Sequence, residues 1–205
     1  MAADPKAGRA AILAALRAAA PADPGLPGPI EVAPPRWPDH PARFAEAVVA
    51  VGGSVERVRD GAALATAVQV LAADLGARRI VSEVPAVKGT EPLAALADPH
   101  LLDGVDLAVL PGAFAVAETG AVWLPAGKLP HRATFVAVEH LALVVPADAL
   151  VNDMHEAYAR LGVLGAFAGP GFGVFVSGPS KTADIEQALV LGAHGARTCR
   201  VFLVG

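Results

Sequence analysis

Short, nearly continuous apolar runs recur along the second half of the chain, at 106–110, 113–117, 121–124, 134–138, 141–145, 172–176 and 200–204. Runs of this length, with no polar face, are expected of strands buried on both sides. Two shorter strands are expected at 55–58 and 80–81. Helical stripes alternate with these runs. Leu64, Val68, Leu71 and Leu75 share one face, with Asp60 placed to cap the helix and Gly76 to end it. Leu150, Met154, Tyr158 and Leu161 form a second stripe after Asp148, closed by Gly162. A further helix is expected after Lys181, with Ile185, Leu189 and Val190 turned inward, and 42–51 reads as a short helix. The alternation predicts an α/β fold, a mostly parallel sheet flanked by helices.

Residues 6–20 read as a separate helix with Ile12, Leu13 and Leu16 on one side. The stretch 21–41 is rich in Pro and Gly, so it reads as an extended arm, with Trp37 placed to pin it. The expected organisation is an N-terminal helical arm over 1–41 and an α/β domain over 42–205.

Composition narrows the function classes. More than half of the residues are apolar (54%) and the net charge is −4, which argues for a large core and against a nucleic-acid partner. No apolar run is long enough to span a membrane, and the expected location is the cytoplasm. One cysteine, Cys199, lies in an apolar run and reads as a core residue. A single thiol cannot hold an iron–sulfur cluster or a cysteine-rich zinc site, so no cofactor is expected on this chain. Metal-ligand spacing of His, Asp and Glu is absent, and no metal site is expected.

Four polar breaks in the apolar runs can carry chemistry. In Ser177-Gly-Pro-Ser-Lys-Thr-Ala-Asp-Ile-Glu186 a strand is expected to run into a loop and a helix start. Gly178, Ser180, Lys181 and Thr182 there either hold a carboxylate or phosphate or merely cap the helix. Glu118, Thr119 and Gly120 interrupt two runs; Glu118 is a candidate general acid or base, or a turn residue. His140, after Glu139, is a candidate proton shuttle or a strand-end histidine with one hydrogen bond. His194 and Arg197 follow a glycine turn, where they face a cleft or complement a helix end. Lys128, His131 and Arg132 make a small basic loop of low specificity. Glu118, Thr119, Ser180, Lys181 and Thr182 are expected to line one anion-binding cleft.

Four segments, 115–120, 139–145, 177–186 and 191–197, resemble in this order the LUD-domain family, in its stand-alone, lactate-utilisation form. The resemblance covers roughly 43–205 and is densest after Leu101. It implies the fold of sugar-phosphate isomerases and CoA transferases. It also implies a part in oxidising L-lactate to pyruvate together with iron–sulfur partner proteins, which would hold the clusters. This chain would then be a cluster-free component that binds a small anionic metabolite, rather than a complete enzyme. The alternative is a self-sufficient enzyme of the isomerase, deaminase or acyl-transferase type acting on a small anionic substrate.

Overall fold

A computed structural model of the chain describes residues 5–21, 25, 27–28, 33–125, 127, 129–165, 171–183 and 188–205. The chain forms two compact units, Met1–Pro34 and Pro35–Gly205. The first holds helix α1 (Pro5–Ala18), on which Ile12 and Leu16 are exposed.

The second unit opens with α2 (His40–Ala50), capped by Asp39, whose carboxylate accepts from the Ala42 N–H. Strand β1 (Ser54–Val58) leads to α3 (Gly61–Leu75). Asp60 caps α3 by accepting from the Ala63 N–H, and Gly76 ends it in the left-handed region at φ 65°. Then come β2 (Ile80–Ser82), two 3-10 turns at Leu93–Ala95 and Pro99–Leu102, and β3 (Leu107–Pro111). Next are β4 (Phe114–Val116), β5 (Ala121–Leu124), the single helical turn α4 (Thr134–Ala137), and β6 (His140–Pro146). Strand β7 (Leu150–Val151), α5 (Met154–Val163) and β8 (Val174–Val176) follow. The order closes with β9 (Lys181–Thr182), β10 (Val190–Leu191) and β11 (Thr198–Val204).

Five strands form a parallel sheet in the order β1-β11-β6-β3-β2. This is the parallel α/β sheet that the apolar runs predict. Its strands alternate between faces. Leu107, Val109, Ala142 and Phe202 pack with Leu64, Val68 and Leu71 of α3. Ala108, Leu110, Leu141, Leu143, Val201 and Leu203 point the other way, into the core that contains Phe114, Val116, Val122 and Leu124. Those last residues belong to a second, four-stranded mixed sheet in the order β7-β4-β5-β8. Helices α2 and α5 contribute Phe44, Val48, Ala157 and Leu161 to the same core. Burial on this scale, at about 1.5–3 kcal/mol per large side chain, is the main force holding the two sheets together.

The chain passes between sheets at Gly112. A Cβ there would lie 2.3 Å from Val122 Cγ1 and 2.9 Å from Val145 Cγ2, so only glycine fits.

Three expected elements differ. The run 134–138 is a helical turn, not a strand: the Thr134 hydroxyl and N–H both donate to the His131 carbonyl and start a turn. Helix α5 begins after Asp153, not Asp148. Asp153 accepts from the Glu156 N–H, Leu150–Val151 is a strand, Tyr158 is exposed, and Gly162 lies inside the helix. Among the described residues that follow Gly178 there is no helix: β9 and β10 form an antiparallel pair, Lys181 opposite Leu191 and Thr182 opposite Val190, and 184–187 lie outside the described residues. Ile185 lies outside the described residues, and Leu189 and Val190 are exposed. Among the described residues, no helix is long and apolar enough to cross a membrane.

Candidate functional site

The loop after β8 is stitched onto the segment before β11. The Ser180 N–H donates to the Ala196 carbonyl (2.9 Å), and the Gly192 N–H donates to the Ser180 carbonyl (3.0 Å). These bonds hold the backbone at Ser180 extended. Lys181 and Thr182 form one strand of a two-stranded ladder, and among the described residues the loop shows no helix N-terminus; residues 184–187 lie outside the described residues. The loop follows a strand of the mixed sheet, so it does not lie at a carboxyl edge of the parallel one.

Two adjoining cavities meet at this junction. An apolar groove of about 260 Å³ is lined by Phe135, Val136, Leu141, the whole of β8, Ser177–Ser180 and His194–Ala196. A wider cleft of about 610 Å³ is lined by Asp103–Asp106, Val136–Glu139, Gly192–Gly195 and Arg197. His194, Gly195 and Val136 belong to both. His194 thus sits where the two chambers join.

The polar groups of the wider cleft lie at the amino edge of the parallel sheet, just ahead of β3, β6 and β11. Arg197 donates to Glu139 Oε1 at 2.7 Å. Asp106 Oδ2 accepts from the N–H groups of Arg78 and Arg79, each at 2.7 Å. Those backbone donors, Arg79 first and Arg78 next, outweigh the effect of burial and hold the Asp106 carboxyl below its ordinary range. His140 pairs through Nδ1 with the Thr198 hydroxyl at 2.9 Å, and its Nε2 lies 4.0 Å from Glu139. His140 is largely buried, and it lines neither chamber.

The second polar break lines neither chamber. Glu118 Oε2 accepts from the Met154 N–H at 3.1 Å, adding to the cap of α5, and the Glu118 carbonyl accepts from Arg43 Nη2. Arg43 in turn stacks over the Trp37 ring, and the Trp37 backbone N–H donates to Asn152 Oδ1. The Asn152 amide donates to the Pro35 carbonyl, so Trp37 and its neighbours are pinned to the unit that begins at Pro35. Gly120, at φ 66°, lies against α2; a Cβ would be 2.7 Å from the Val48 nitrogen.

Of the sequence-derived residues, the fold brings Gly178, Ser180 and His194 to one groove. Thr119 touches the same loop only through its carbonyl, which accepts from the Ser177 hydroxyl at 2.8 Å. Glu118 and Thr119 line neither chamber. Lys181 points away toward the end of α2, its Nζ 3.3 Å from where a Cβ on Gly52 would be, and Thr182 is held in the ladder. Sequence reasoning passed over Asp103, Asp106 and Val136, which the fold brings to the cleft. Their signal was weak, because each flanks an apolar run as a turn or strand-end residue.

Cys199 is buried in β11 at 3% exposure, and burial pushes its thiol up to about 12. It is a core side chain, as its apolar surroundings predict.

The model of the LUD domain matches residues 100–204, just over half of the chain and every residue named in the two chambers. The chain belongs to the LUD-domain family. It is 31% identical over 99 residues to lactate utilization protein C of Halalkalibacterium halodurans, a stretch covering 47% of this chain and 43% of that protein. It is 35% identical over 81 residues to the protein of the same name from Shouchella clausii, covering 39% of this chain and 35% of that one. The matched stretch therefore spans less than half of these relatives. A crystal structure of a DUF162 family protein from Deinococcus radiodurans superposes with a TM-score of 0.64 at 18% identity, covering 81% of this chain and 96% of that one. That likeness bears out the fold.

Proposed function

We propose that this LUD-domain chain supports the oxidation of L-lactate to pyruvate as a cluster-free component of a cytoplasmic lactate-utilisation system. The observation that carries this reading is the family match over 100–204 together with relatives named lactate utilization protein C. Lactate gives up two electrons and two protons in becoming pyruvate. Iron–sulfur partner proteins would take the electrons, since the lone thiol here is buried in a strand.

The role left to this chain is to bind a small anionic metabolite. The groove between Ser180 and His194 is the better half of the cleft for it. The Ser180 hydroxyl and the His194 ring are donors there, and no carboxylate lines the groove. The wider chamber carries Asp103, Asp106 and Glu139, and its Arg197 already serves Glu139, so an anion is less favoured on that side. Ordering the anion in the apolar groove would strengthen each hydrogen bond by excluding water.

Titration calorimetry with lactate, pyruvate and a phosphorylated sugar tests the site. His194→Ala and Ser180→Ala should each weaken binding by about 1.5–3 kcal/mol, the loss of one hydrogen bond to a charged group. Unchanged affinity in both variants would sink this placement. Turnover of a sugar phosphate or an acyl-CoA by the purified chain would instead favour a self-sufficient enzyme.

A further inference from the structure

Four aromatic side chains of the second unit form one cluster. Phe114 stacks with Trp123 (6.4 Å between centroids), Trp123 meets Phe175 at 4.7 Å, and Phe175 meets Tyr158 at 6.3 Å. Gly173 lies so close to the Trp123 indole that a Cβ would be 2.1 Å from it, and Phe172 is its neighbour in the chain. Tyr158 is 57% exposed and Phe172 42% exposed. Two arginines stack on these rings: Arg132 over Phe172 at 5.0 Å and Arg160 over Phe114 at 5.1 Å. Exposed aromatics with arginines are the residue types enriched where proteins bind one another.

The neighbouring sheet edge belongs to β8. Strand β8 pairs with β5 along one side, and among the described residues no strand pairs with its other side. Sheet edges are ordinarily protected by lysine, proline or a bulge, and Val174-Phe175-Val176 carries no charge or proline.

We propose that this edge and its aromatic patch form a docking site for an extended, acidic segment of a partner protein. The segment would add as a strand to β8, seat an apolar side chain between Tyr158 and Phe172, and place carboxylates against Arg132 and Arg160. Charge selects the occupant. The chain as a whole is at −4, yet the cations stacked on these rings make the patch locally positive. A two-fold contact between copies of this chain would set the same arginines against one another, which disfavours self-association here.

The identity of the partner rests on the function proposed above, and the experiment separates the two. The probe is the purified iron–sulfur protein of the lactate-utilisation system, bound to the full chain at low and high salt. Arg132→Glu and Tyr158→Asp, both at exposed positions, should each weaken binding by about tenfold or more, and salt should weaken the wild type. Asp74→Arg, on α3 across the parallel sheet, should bind as the wild type does. Thermal melts confirm that all three variants fold. The inference is overturned if the partner binds both patch variants within twofold of wild type (roughly 0.4 kcal/mol), or does not bind the wild type. A wild-type dimer that Tyr158→Asp dissociates would overturn it too, by naming a second copy as the occupant. The function itself stands or falls on lactate growth, whatever surface the partner uses.

Discussion

The Glu118 carboxylate accepts a hydrogen bond from the backbone N–H of Met154, 36 residues further along the chain. The bond ties the turn between β4 and β5 to the first turn of α5. The acid that interrupts two apolar runs thereby has a structural duty at a helix start, where negative charge is favoured. Replacing Glu118 with alanine should cost about 1 kcal/mol of stability, or roughly 2–4 °C in Tm for a domain of this size. Glu118→Gln, which keeps an acceptor, should recover most of it. A thermal melt checks both. An alanine variant as stable as wild type but unable to bind any anion would show that Glu118 serves the ligand instead.

Gly120 should tolerate no side chain. Its φ of 66° and the 2.7 Å approach of the Val48 nitrogen combine backbone strain with overpacking against α2. Gly120→Ala should destabilise by about 2–4 kcal/mol. Chemical denaturation measures this, and a change below half a kcal/mol, the size of an ordinary surface substitution, would contradict the placement.

Asp106 should contribute acid sensitivity. Its carboxyl is held below the ordinary range by the Arg79 and Arg78 N–H groups. A depressed carboxylate adds stability that is fully present above its unfolded pKa, about 3.9. That stability is lost as pH falls through the lower folded value. Asp106→Ala should therefore lower stability near neutrality by about 1 kcal/mol and leave a smaller difference from wild type in strong acid. A difference that stays constant from neutral pH to below the folded value would refute the linkage.

Cys199 should resist thiol reagents in the native state, because its thiolate is disfavoured and the residue is 3% exposed. Labelling should follow global unfolding in denaturant. Stoichiometric labelling within seconds without denaturant would show the strand is accessible.

Much of this architecture was legible in the sequence for definite reasons. The α3 stripe Leu64–Val68–Leu71, with Asp60 before it, satisfies helix periodicity and capping together. The runs that became β3, β6 and β11 are apolar because both faces of those strands are covered. The failures lie where tertiary contacts outweigh local pattern. The 134–138 run is too short for periodicity to separate strand from helix, and the Thr134 hydroxyl decides it through His131. The polar string after Gly178 reads as a helix start, but bonds from Ser180 to Ala196 and from Gly192 to Ser180 tie its first residues to the segment before β11, and Lys181–Thr182 is a strand. Those partners are 12 and more residues away in sequence. The meeting of Ser180 with His194 was expected only loosely, and of the wider chamber only His194 and Arg197 were expected to face a cleft, since its walls come from the starts of three different strands.

The most direct test of the central claim is growth on L-lactate as sole carbon source after deletion of this chain's gene from its own host. The account predicts that growth on lactate is lost, that growth on pyruvate is retained, and that the wild-type gene restores lactate growth. Undiminished growth of the deletion strain on L-lactate would contradict it.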